Sequence, residues 1–92
     1  MKFRKKPIEV EAIKWKGTNL IPISIFIEDE RLFKYHHFRN NGSGELIIYT
    51  LEGPMVASTG DWIIKEPFAT EDRKFYPCKP GIFSMTYEKV DS

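Results

Sequence analysis

Few side chains in this sequence can do covalent chemistry, and they are scattered. Cys78 is the single cysteine. It stands beside Lys79, near Lys74, and just ahead of Pro80, where a helical turn can begin. Positive charge and a helix N-terminus both favour thiolate. A nucleophile also needs a base within hydrogen-bond reach. His36 and His37 are the available imidazoles, and nothing in the spacing brings either to Cys78. A packed structural thiol is the commoner fate of cysteine. Adjacent histidines on a strand point to opposite faces, and a structural zinc site needs a full set of Cys or His ligands that this chain does not contain. The carboxylates of Glu28-Asp29-Glu30 and Glu71-Asp72 fall in expected loops or element ends, where solvation is their natural state. The expectation is a non-enzyme with no catalytic residue, no metal and no cofactor.

Binding chemistry is better represented. Gly60-Asp61-Trp62 puts a carboxylate at a turn next to a large aromatic ring. Asp at such a place bonds its own turn backbone, or it reads a ligand amine or a base edge. Trp62 and Tyr76, together with Trp15, Tyr35, Tyr49 and Phe75, could form a stacking surface, with phosphate contacts from a basic run at Lys2, Arg4, Lys5 and Lys6. The candidate ligand-binding residues are therefore Asp61, Trp62, Tyr76, Lys79 and Arg4. Competing with this is the demand of a small core for aromatic area. Gly42-Ser43-Gly44 lacks the Lys-Ser/Thr that completes a phosphate loop, and reads as a hairpin turn.

These residues must be positioned by a modest scaffold. The 92 residues form a single-domain length, 1–92. Hydrophobic residues make up 41% and aromatics 14%, which suits a folded domain rather than a disordered one. Fourteen Lys and Arg against thirteen Asp and Glu leave a net charge of +1, without the basic excess of a dedicated duplex-DNA binder. One cysteine rules out an internal disulfide and suits a reducing, cytoplasmic compartment. No signal-peptide pattern follows the basic start, and no apolar run reaches membrane-spanning length.

Gly and Pro punctuate the chain evenly, the signature of short strands and tight turns. Alternation from Ile8 to Trp15 predicts a strand, with a phase shift near Ala12 that suggests a bulge. Gly17-Thr18-Asn19 is a turn, and Thr18 or Asn19 caps a short helix over Leu20 to Ile27, with Pro22 in its first turn. Alternating isoleucines also allow a strand there. Leu32 to Phe38 and Glu45 to Thr50 make an antiparallel hairpin around the Asn40–Gly44 turn. Short strands follow at Met55 to Ala57, at Trp62 to Lys65 and at Lys74 to Tyr76. The run Trp62-Ile63-Ile64 implies burial on both faces and a central position. Pro77 to Gly81 breaks the chain, and a helical turn from Pro80 buries Ile82 and Phe83. Tyr87 to Val90 is a last strand or a tail. The expected class is α+β: a small, mostly antiparallel sheet with one or two short helices.

Four segments, taken together, resemble a family of small, functionally uncharacterised phage and prophage proteins. They are Met1-Lys2-Phe3-Arg4-Lys5-Lys6-Pro7 with Glu11-Ala12 and Trp15; Leu51-Glu52-Gly53-Pro54-Met55-Val56-Ala57; Gly60-Asp61-Trp62-Ile63-Ile64-Lys65; and Phe75-Tyr76-Pro77-Cys78-Lys79-Pro80-Gly81-Ile82-Phe83 followed by Thr86-Tyr87-Glu88. Residues 19–41 and the loop from Glu66 to Arg73 depart from that pattern. The resemblance implies a phage-encoded protein acting inside a bacterial cell, and it brings no catalytic residue with it. The expected function is a non-catalytic accessory module that binds a host protein or sequesters a small host ligand such as a nucleotide signal. Below it rank a minor virion or assembly component, a single-stranded nucleic-acid binder and, last, an enzyme. No membrane partner is expected, and a homo-oligomer fits the first reading.

Overall fold

In the computed structural model, which describes residues 1–3, 9–37, 44–67 and 74–89, the chain is an α+β fold. The elements run β1 (Glu11–Lys14), α1 (Leu20–Ile27), a 3₁₀ turn (Glu30–Leu32), β2 (Phe33–His37), β3 (Gly44–Thr50), β4 (Gly53–Ala57), β5 (Trp62–Lys65), β6 (Phe75–Cys78) and α2 (Pro80–Thr86). They build two three-stranded antiparallel sheets, β1-β5-β6 and β2-β3-β4. Pro54 and Pro77 both sit on edge strands, where a missing N–H is tolerated.

The period of two along β3 sets the inner layer. Gly44, Leu46, Ile48 and Thr50 are buried, and the residues between them are half-exposed. Leu46 pairs with Ala57 and Ile48 with Met55, so those residues of β4 share the inner face. Facing them is a cluster of Trp15, Ile23, Ile27, Leu32, Ile63 and Phe75. The apolar Leu20–Ile27 segment takes the helical alternative, since Ile23 and Ile27 then fall on one face and enter the core. Ile21 and Ile25 stay exposed on the other side. Asn19 is the N-cap residue, but its side chain does not bond the helix. It accepts from the Lys16 N–H at 2.8 Å and donates to the Lys14 carbonyl at 2.8 Å, which holds β1 to the start of α1.

Several expectations change. The strand at the start is shorter, and β1 pairs with β5 in unbroken register from Glu11↔Lys65 to Lys14↔Trp62, without a bulge. Ile8 lies outside the described residues. The phase shift at Ala12 has another cause, which is partial cover on both faces, since Ala12 and Ile13 are each half-buried. Ile13 faces the shared core, whereas Ala12 lies on the outer face beside Ile64, itself fully buried. β5 is indeed the central strand of its sheet. β6 runs through Pro77 to Cys78 instead of stopping at Tyr76, because the proline lies at an edge. The second helix starts at Pro80 but leaves Ile82 59% exposed. It meets the sheet through Phe83 alone of that pair. The hairpin of β2 and β3 pairs Phe33↔Ile48 through His37↔Gly44; residues 40–43 of its turn and Val90 lie outside the described residues. Tyr87, Glu88 and Lys89 have no regular structure. Among the described residues, no helix is long and apolar enough to cross a membrane.

Trp15 ties the two sheets. Its indole Nε1–H donates to the Gly44 carbonyl on β3 at 3.1 Å, and its ring meets Tyr35 edge-on at 5.8 Å. Gly44 is needed because a Cβ there would overlap the His36 carbonyl oxygen and the Tyr35 ring. Gly44→Ala is expected to cost about 1–3 kcal/mol in overpacking. Urea unfolding checks this, and an unchanged midpoint would contradict the packing described.

Candidate functional site

The 58–61 turn delivers Asp61. Gly60 takes a φ of +99°, a conformation glycine adopts without strain, and the Asp61 N–H donates back to the Ser58 carbonyl at 2.9 Å. Asp61 is 3% exposed. Its Oδ2 accepts from the Ser58 N–H at 2.9 Å and from Lys79 Nζ at 2.8 Å. The carboxylate thus bonds its own turn, and the amine it reads is supplied by this chain.

Strand register brings the other candidates to the same place. Trp62 lies opposite Cys78, and Ile64 opposite Tyr76, so all four side chains share the outer face of the β1-β5-β6 sheet. Lys79 follows Cys78 as the residue before α2. Phe83 of α2 stacks on Trp62, with centroids 4.2 Å apart and planes within 9°. Tyr87 then tilts against Phe83 at 5.1 Å, and its hydroxyl lies 3.5 Å from that of Tyr76. Burial, the Tyr87 hydroxyl and the nearby Glu66 charge push the Tyr76 phenol well above its ordinary pKa, so it stays a neutral hydroxyl at physiological pH. Asp61, Trp62, Tyr76 and Lys79 are therefore gathered at one end of one sheet, as partners of their own chain. Arg4 lies outside the described residues.

Cys78 belongs to the same cluster. Its thiol donates to the Lys79 carbonyl at 3.6 Å. Burial and the Asp61 charge push its pKa up, opposite to the effect expected from neighbouring lysines. Lys79 is drawn to Asp61 instead. His36 is on β2, in the other sheet. Among the described residues, no group of three His, Cys, Asp or Glu side chains is placed to hold a metal ion. Of the aromatics expected to stack on bases, Trp15 and Phe75 are in the core, and Trp62 has a face covered by Phe83.

A site the sequence reading missed opens beside Tyr76. A groove of about 330 Å³ is lined by Thr50, Leu51, Glu52 and Met55 from the β3–β4 hairpin, by Glu66 just after β5, by Lys74 just before β6, and by Phe75 and Tyr76 of β6. Thr50 shapes its rim, donating its hydroxyl to the Gly53 carbonyl at 2.8 Å and accepting from the Glu52 N–H at 3.1 Å. Across it the Glu66 N–H donates to the Lys74 carbonyl at 2.7 Å, extending the β5–β6 pairing. Phe75 is almost wholly buried in the core. Leu51 and Met55 are 64% and 40% exposed. Leu51 at a hairpin tip was the available sequence signal, since an apolar residue there has nothing local to cover it. A second depression, of about 350 Å³, is lined mainly by Glu9, Glu11 and Lys65, of which Glu11 and Lys65 already pair at 3.6 Å.

No protein-family model matches the chain, and neither a curated protein nor a solved structure matches it.

Asp61→Ala should cost about 2 kcal/mol or more, because it orphans the Ser58 N–H and removes the partner of Lys79. Lys79→Met should cost about 1 kcal/mol or less, since the lysine side chain is 61% exposed. Denaturant curves of both variants decide the order, and the reverse ranking would contradict the roles assigned. At pH 8 the Cys78 thiol should react with a disulfide reagent more slowly than free cysteine and should match it in urea; an accelerated native reaction would mean an activated thiolate.

Proposed function

We propose that this chain is a non-catalytic accessory module of phage or prophage type that captures a segment of another protein in the groove between the β3–β4 hairpin and β6. The observation that carries the reading is Met55. It lies on the inner face opposite Ile48, yet it is 40% exposed where Ile48 is fully buried. The core is left open there, with Leu51 above it and Phe75 beneath. The groove is near the lower end of ligand-pocket sizes, roughly 300–1,000 Å³, and suits one or two side chains of a partner. The setting inside a bacterial cell comes from the four-segment resemblance to small phage proteins.

Charge bears on the choice between a protein and a nucleotide guest. Glu52 and Glu66 face a single ammonium, Lys74, around the rim. Two carboxylates against one lysine disfavour a phosphate-bearing ligand, which would gather cationic groups. Stacking of a nucleic-acid base on Trp62 would have to compete with Phe83 at 4.2 Å.

Panning a displayed-peptide library on the immobilised chain tests this. Enriched peptides should bind the protein and lose about tenfold in affinity to Leu51→Asp, the loss expected for one buried leucine-sized contact. Binding that ignores Leu51, or no enrichment, would refute the reading.

A further inference from the structure

One segment of this same chain carries the chemistry that the groove asks for. Met1 and Phe3 are fully or almost fully exposed, at 109% and 89%. Phe3 is flanked in sequence by Lys2, Arg4, Lys5 and Lys6. An aromatic side chain with four cations beside it in sequence is thus left in solvent, while the groove offers Leu51, Met55 and Tyr76 among two carboxylates, Glu52 and Glu66, and one ammonium, Lys74. Each lacks what the other has: Met1 and Phe3 have no apolar cover, and the groove has no apolar filling.

From this complementarity, and resting on the groove being a capture site, we infer that the groove receives Phe3 of a second copy of this chain, with the neighbouring lysines and Arg4 meeting Glu52 and Glu66. Phe3 does not fill its own copy's groove, because it is solvent-exposed. β1, the next element in sequence, lies on the far side of β5 from β6. Two copies exchanging segments make two equivalent contacts and close a two-fold dimer with no unsatisfied groove. A foreign segment of the same apolar-and-basic kind would then compete with dimerisation, so that capture and self-association report on each other.

Sedimentation equilibrium of the full chain across a concentration series tests the inference, beside binding of a synthetic peptide with the sequence of residues 1–8. The wild type should dimerise. Phe3→Ala and the double variant Glu52→Lys, Glu66→Lys, all at exposed positions, should each weaken the dimer about tenfold or more. High salt should weaken the wild-type dimer as well. The peptide should bind Phe3→Ala protein, whose groove is intact, and not the double variant. A dimer indifferent to Phe3→Ala overturns the inference. So does a chain that stays monomeric at every concentration. If that monomer still takes library peptides in a Leu51-dependent way, the capture reading survives and the second-copy assignment alone falls; if it takes none, both fall.

Discussion

The fold depends on one residue, Trp15, that is bonded to both sheets at once. Its backbone N–H donates to the Asp61 carbonyl at 2.8 Å, and its carbonyl accepts from the Gly60 N–H at 2.7 Å, which anchors it to the turn that begins β5. Its side chain crosses the core and donates to Gly44 on β3. With no solvent exposure, the indole fills space as well as making the bond. Sheet packing alone is weakly directional. A buried, satisfied N–H is not, because the alternative is an orphaned polar group costing about 1–3 kcal/mol. This contact therefore sets how the two sheets face each other, and so whether Met55 of one meets Phe75 of the other.

The same turn anchors the opposite side of the β1-β5-β6 sheet. α2 buries none of its residues. It is held by Phe83 on Trp62, by Lys79 on Asp61 at the preceding residue, and by Tyr87 near Tyr76 just beyond it. Asp61 thus serves the tie between the sheets through its carbonyl and the docking of α2 through its carboxylate. No buried side-chain nitrogen or oxygen among the described residues lacks a partner. Polar groups that looked available for a ligand are engaged in closing the outer layer.

Legibility in the sequence followed the range of the forces involved. The start of α2 was readable because Pro80 marks a helix start locally, whereas the α1 segment was only half readable: its isoleucines also allowed a strand, and the Asn19 side chain bonds β1 and the turn instead of capping the helix. The central place of β5 was readable because Trp62-Ile63-Ile64 has no polar alternation. The cause of the phase shift at Ala12 was not, since a bulge and a second covered face leave the same trace in one strand. Asp61, Trp62, Tyr76 and Lys79 were picked by residue type, and they do converge, but type could not say that they would satisfy one another. That took the Trp62↔Cys78 register, a pairing between distant segments. The groove was hidden for the same reason: Met55 and Tyr76 meet only after two hairpins have packed.

What remains unsatisfied is apolar. A buried aspartate with its lysine, a stacked tryptophan and a protonated phenol leave little polar chemistry on that face. On the other side Leu51 and Met55 stay in contact with water, although the inner row they adjoin is fully buried at Leu46, Ile48 and Ala57. Methionine is also the side chain best able to repack against differently shaped guests. An open wall of Met and Leu, over an aromatic floor and under carboxylates, discriminates by contact area and charge rather than by bond-making. Such a wall suits the proposed capture of a polypeptide segment, a reading that turns on the hairpin tip instead of on the residues most able to react.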